Sequence, residues 1–204
     1  MAAAGGNPMN RRLTQRGRER RQQLMTYATA RFAENGYHPT SVAEIVQGLG
    51  VGKGVFYWYF ASKEELFLEI LRDAQHQLRR RQEAAIVDEP DPVTRIELGI
   101  RASIAWFDEN RDVVKLLQFA ATEERFAPML RRGQDVAVAD TAQHVKEGIV
   151  EGRIRDIDPF LLSHAVLGVT GHLAREFVHE RSQPVDEVAE AAVAFCLEGL
   201  LGRK

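Results

Sequence analysis

"GVGKGVFYWYF", residues 50–60, sets three glycines within five residues ahead of a run of large apolar side chains with no acid among them. Its neighbours give the run a setting. In "TSVAEIVQGLG", residues 40–50, Ser41 and Glu44 stand in capping-box register, and Val42, Ile45, Val46 and Leu49 share one apolar helical face. Gly50 ends that helix, and beyond the aromatic run Ser62 with Glu65 opens a second capping box. A short capped helix, a glycine turn and a second helix of about two turns make the layout of a helix-turn-helix over residues 41–60, whose second helix enters the DNA major groove.

The chemistry of the second helix fits that use. Gly52 and Gly54 let its leading end approach a phosphate closely, where helix N-terminal amides favour anions, and Lys53 adds a charge there. Tyr57 and Tyr59 carry hydroxyls that can donate to phosphate while their rings pack, and Trp58 has the length to reach sugar or base edges. The plainer reading of an aromatic cluster at helical spacing is core, and Phe56 and Phe60, four apart, are expected to face inward. Three consecutive residues spread over about 200° of a helix, so Tyr57, Trp58 and Tyr59 cannot all follow them.

Outward from this stretch, residues 1–21 read as a basic, disordered arm with Arg11, Arg12, Arg16, Arg18, Arg20 and Arg21, able to reach phosphates or an adjacent minor groove. Leu24, Ala28 and Phe32 then form an apolar stripe, and Asn35-Gly36 stops the helix with Gly36 as a left-handed cap. A long helix starts at Lys63, with Leu66, Phe67, Ile70, Leu71, Ala74 and Leu78 inside, and gives out in the acidic, proline-bearing "RRRQEAAIVDEPDP". The remainder predicts further helices: from Asp91-Pro92 through Phe107, over about 112–123, from Pro128 to Val150, from Asp158-Pro159 to residue 181, and from Val185 to Leu201. With no strand alternation and no internal repeat, the fold class is all-α. The expected domains are 22–70, binding DNA, and 71–204, joined through the long helix. Charge divides similarly. The first 81 residues carry 13 Lys and Arg against 7 Asp and Glu, and the remainder 14 against 22. A basic first part points to a polyanion partner for that part alone.

Several classes drop out. No apolar run approaches the roughly 20 residues of a membrane span, and the N-terminus lacks the apolar core of a secretory signal. The single cysteine, Cys196, suits a reducing cytoplasm, the expected location. No nucleophile elbow, HExxH or Cys/His cluster appears, and "GVGKG" lacks both the spacing and the preceding strand of a phosphate loop, so neither enzyme nor cofactor is expected. His172 and Glu176, one turn apart, have no second pair to complete a metal site.

"TSVAEIVQGLGVGKGVFYWYFASKEELF" resembles the DNA-binding segment of the TetR family of transcriptional regulators. The likeness spans Leu24 to about Leu71, with the glycine turn, Lys53, Tyr57, Tyr59-Phe60, Lys63 and Leu66 in order. It implies phosphate contacts from Tyr57, Tyr59 and Lys63 and from Thr40 or Ser41, with Lys53, Val55 and Trp58 facing the groove. Two positions depart. Gly52 stands where Ser or Thr commonly caps the recognition helix, and Gly48 where alanine is usual, at roughly 1 kcal/mol of helix propensity. The resemblance also implies a homodimer on double-stranded DNA that responds to a small, lipophilic effector, most often by releasing DNA. An effector-independent DNA-binding regulator, or an activator, is the alternative.

For the second domain, small residues amid apolar ones suggest a four-helix interface between protomers through Leu167, Thr170, Gly171 and Ala174 with Phe195 and Leu200. Candidate pocket residues are Trp106, Phe107, Phe119, Phe126, His144, His164 and His172, since a ligand site is mostly apolar with few polar groups.

Overall fold

The computed structural model describes residues 13–201, all of whose regular structure is helical. The chain divides into two compact units, the first ending at Phe67 and the second beginning at Leu68. The division falls within the long helix, three residues before the expected boundary.

The first unit begins with α1 (Gln15–Asn35), followed by α2 (Val42–Gly48), α3 (Lys53–Tyr59) and the start of α4 (Lys63–Ile86). Thr14 caps α1, its Oγ1 accepting from the Gly17 N–H at 3.2 Å. The basic stretch expected as a disordered arm is thus helical from Gln15, and Arg21 lies over the Phe60 ring at 5.1 Å. A threonine cap and a cation held on an aromatic face order residues that composition alone marks as tail. Residues 1–12, including Arg11 and Arg12, lie outside the described residues. Leu24, Ala28 and Phe32 are buried, as their spacing predicts. Gly36 has φ +87° but ψ 158°, an extended left-handed conformation reserved for glycine rather than the helical cap expected.

At the end of α2 the chain closes as its sequence promises. The Gly50 N–H bonds the Gln47 carbonyl at 3.0 Å and the Val51 N–H the Val46 carbonyl at 2.9 Å, with Gly50 at φ +64°. This is a Schellman turn, and its left-handed residue needs glycine. At the start of α2, Ser41 Oγ accepts from the Glu44 N–H at 3.1 Å, but the Glu44 carboxylate does not return the bond. It accepts from Arg31 and Asn35 of α1, both at 3.1 Å, so half of the predicted capping box ties two helices together instead. Gly48 has a packing reason: a Cβ there would collide with the ring and hydroxyl of Tyr27 on α1. The core of this unit joins Phe32, Ile45, Phe56, Phe60, Leu66 and Phe67. Phe32 and Phe67 meet edge-on at 5.5 Å. Each such ring contributes about 1.5–3 kcal/mol by leaving water.

The second unit contains the rest of α4, then α5 (Pro92–Glu109), α6 (Arg111–Thr122), α7 (Ala127–Val150), α8 (Pro159–Leu173) and α9 (Val185–Leu201). Asp91 caps α5 through the Thr94 N–H at 3.0 Å, with Pro92 in the first turn. α5 is central, packing on α7, α8 and α9 around Ile96, Ile100, Ile104, Val145, Val166 and Ala192. The helix expected to run to residue 181 stays α-helical only to Leu173 and continues as a π-helix over Ala174–Glu180. Ser182, at φ +53°, then turns the chain.

Candidate functional site

α3 rests on the first unit by one face. Phe56 and Phe60 are fully buried and 5.8 Å apart. The opposite face is bare: Tyr57 is 56% and Trp58 53% exposed, Val55 and Lys53 are exposed, and Tyr59 is half-buried, its ring 4.5 Å from Trp58 and nearly perpendicular to it. Large rings left in water on a short helix mark a surface that is covered in use. α3 has no side-chain cap, because Gly52 supplies none. A Cβ on Gly52 or Gly54 would meet nothing within 4 Å, so neither glycine is demanded by the chain's own packing. Their smallness leaves space for something outside it. Beside this face, Arg16 and Arg20 of α1 line a groove of about 350 Å³ with Val55, Trp58 and Tyr59. Two arginines assigned to the arm by composition thus join the aromatic face through the phase of α1.

Two predicted phosphate contacts are turned inward. Thr40 is 0% exposed, and its hydroxyl donates to the Gly36 carbonyl at 2.8 Å. The Lys63 ammonium donates to the carbonyls of Tyr37 at 2.8 Å, His38 at 3.2 Å and Thr40 at 2.8 Å, and sits 4.4 Å from the Tyr37 ring centroid. The turn between α1 and α2 leaves carbonyls without helical partners, and a cation at the first residue of α4 satisfies three of them. Both residues hold the loop in place. Ser41 stays exposed while capping α2.

The second unit holds a cavity of about 280 Å³ between α4, α5, α7 and α8. Ile96, Gly99, Ile100 and Ser103 of α5 form one wall, and Leu167 and Thr170 of α8 another. Of the seven pocket candidates only His144 lines it. Trp106 and Phe126 are buried in packing, Trp106 against Phe107 at 5.6 Å and Phe126 beside Phe119 at 6.4 Å. His164 and His172 are exposed. Large rings fill space, whereas the cavity is left by smaller aliphatic and polar side chains. Sequence reasoning missed those, and the available signal was Gly99, an unexplained glycine inside an apolar helix.

The proposed interface residues divide the same way. Thr170, Ala174 and Leu200 are buried within their own unit, and Leu167 faces the cavity. Gly171 is half-buried, and Phe195 is 68% exposed. The outer side of α8 instead presents Leu161, Ala165, Gly168 and His172, and α9 adds Ala191 and Ala194 beside Phe195. His172 pairs with Arg175 and Glu176 with Arg181, so that couple does not converge, and among the described residues no three potential ligands gather for a metal. No helix among them is long and apolar enough to cross a membrane.

A family profile described as "Bacterial regulatory proteins, tetR family" matches residues 24–70, which include α2, α3 and the start of α4. Along most of its length the chain is similar to the transcriptional regulator YdgC of Bacillus subtilis, 26% identical over 91% of this chain and 95% of that one. It is also similar to the transcriptional repressor KstR2 of Mycobacterium tuberculosis, 27% identical over 89% and 92%. The solved KstR2 structure superposes with a TM-score of 0.70, covering 90% of this chain and 96% of that one. A regulator from Syntrophomonas wolfei, 23% identical, shares the fold at a TM-score of 0.81 over 92% and 97% of the two chains. These relatives are DNA-binding regulators and not enzymes, and the bare aromatic helix lies inside the matched segment. The chain belongs to the TetR family of transcriptional regulators.

Proposed function

We propose that two copies of this chain bind an inverted-repeat operator through the outer face of α3, and that a small lipophilic molecule in the α4–α5–α7–α8 cavity lowers their affinity for DNA. The observation that carries the DNA reading is the division of α3 into buried Phe56 and Phe60 and exposed Tyr57 and Trp58. Tyr57, Tyr59, Arg16 and Arg20 contact phosphates, while Lys53, Val55 and Trp58 enter the groove behind the glycines. Few of these side chains read a base edge by paired hydrogen bonds, so sequence preference rests partly on water and DNA shape. Repression is the expected sign, as in the repressor KstR2, and the site of action is the cytoplasm.

The protomers pair through the outer faces of α8 and α9. Leu161, Ala165, Gly168 and His172 recur at helical spacing, and a Cβ on Gly168 would meet nothing within 4 Å, so that position admits a partner helix. Footprinting on DNA flanking the chain's own gene, with sedimentation at micromolar concentration, tests the reading. Protection of two half-sites about 34–36 Å apart, or a multiple of that, by a dimer is expected. A monomer, or no protected site, contradicts it.

A further inference from the structure

The charges on the cavity wall are already spent. Arg79 of α4 is paired with Glu83 at 3.2 Å and with Asp140 of α7 at 2.9 Å. Arg95 of α5 donates through Nη2 to Glu147 at 2.5 Å and to the Pro90 carbonyl at 3.2 Å, and through Nη1 to His144 Nδ1 at 3.2 Å. Its Nε has no partner but is sealed from solvent, so an entering anion does not reach it. An anion in this cavity therefore competes with carboxylates already in place, weakly at the half-exposed Arg79–Asp140 pair and more strongly at the more buried Arg95–Glu147 pair.

What remains free is neutral. A guanidinium only donates, so His144 Nδ1 must accept, which leaves the ring's proton on Nε2 as a donor. Burial, followed by the Arg95 charge, pushes the His144 pKa down and keeps that ring uncharged, against the opposing pull of Glu147 and Asp140. Across the cavity, Gln82 gives an amide N–H to Ser103 Oγ at 2.8 Å, which leaves its carbonyl oxygen as an acceptor. Ile86, Ile96, Ile100 and Val166 supply the apolar lining. At about 280 Å³ the space lies just below the ~300–1,000 Å³ common for drug-sized ligands, too little for a nucleotide-bearing thioester.

Resting on the effector reading above, we infer that the cavity selects an uncharged, compact, mostly apolar molecule bearing one hydroxyl, carbonyl or amine, held between His144 Nε2–H and the Gln82 carbonyl, and rejects anions of the same shape.

Two fluorescent probes differing by one charge test this: phenylnaphthylamine, which is neutral, and its sulfonated analogue anilinonaphthalene sulfonate. Gly99 provides the control, because a Cβ there would meet nothing within 4 Å, so Gly99→Leu fills the cavity without disturbing the packing around it. In titrations of the full chain, the neutral probe should bind about tenfold or more tighter than the sulfonate, a gap on the order of one ion-pair disruption. Gly99→Leu should abolish neutral-probe binding and leave the melting transition in place. Glu147→Gln, which strips Arg95 of its counter-charge, should raise sulfonate affinity. Sulfonate binding as tight as that of the neutral probe and lost in Gly99→Leu overturns the inference, as does neutral-probe binding that Gly99→Leu leaves unchanged. If the neutral probe shows the expected selectivity but leaves affinity for operator DNA unaltered, the charge inference stands and the effector reading falls.

Discussion

The outer face of α3 with its surroundings and the cavity between α4, α5, α7 and α8 treat the same kinds of side chain in opposite ways. In the first unit the polar groups Thr40 and Lys63 turn inward to hold a loop, while Tyr57 and Trp58 stand in water. In the second unit Trp106 and Phe126 are packed away, and polar Gln82 and His144 line open space. Side-chain chemistry alone assigns neither. The phase of the helix, and which unsatisfied backbone groups lie near, decide which residues face outward.

The inward side of this comparison breaks most visibly at Phe56. Phe56→Ala should cost about 3–5 kcal/mol in chemical denaturation and abolish DNA binding with the fold, as for other large aromatic core truncations. Phe195→Ala, on the exposed side of α9, should leave protomer packing intact and weaken the dimer. Next comes Lys63→Met. Loss of three charge-assisted bonds to the carbonyls of Tyr37, His38 and Thr40 should cost about 2 kcal/mol, discounted for partial exposure. A variant as stable as the parent but weaker on DNA would return Lys63 to the phosphate role its sequence position suggests.

The glycines sharpen the comparison on a smaller scale. Gly48→Ala should destabilise by roughly 1 kcal/mol despite alanine's better helix propensity, because Tyr27 occupies the space. Gly54→Ala, facing open space, should leave the melting temperature unchanged or slightly raised, and weaken DNA binding. The smallest effect is with pH. Burial, then nearby Arg95, depresses the His144 pKa below 6.5, and burial, then Arg111, does the same for His179. In each case the unfolded chain takes up a proton first. The stability from these rings is full above the ordinary histidine pKa and is lost as pH falls through the depressed values. Melting temperature should therefore fall on acidification from neutral pH, and the double variant His144→Gln, His179→Gln should show a shallower fall.

Most of the fold was legible because its signals are local. Capping residues, apolar stripes and the Gly50 turn lie within a few residues of what they determine, and the helix-turn-helix is where its spacing predicts. The hold of Phe60 on Arg21 and the turn of Lys63 onto the loop before α2 depend on contacts between elements. So does the cavity, whose lining comes from four helices and whose aliphatic walls look in sequence like any core. The same holds for two of the expected interface residues: Thr170 and Ala174 lie on α8 and its π-helical extension, but on the side its own unit buries, whereas Phe195 is exposed.

The proposed DNA contact is the outer face of α3, and one titration tests it directly. Tyr57→Phe combined with Trp58→Ala removes a hydroxyl and a ring that touch nothing essential to the core. Fluorescence anisotropy on operator DNA from the sequence flanking the chain's own gene, over a range of salt, should show a loss of about a hundredfold or more in affinity at every salt concentration, with an unchanged salt slope, since neither side chain is charged, and an unchanged melting temperature. Unaltered affinity in that variant would contradict the assignment.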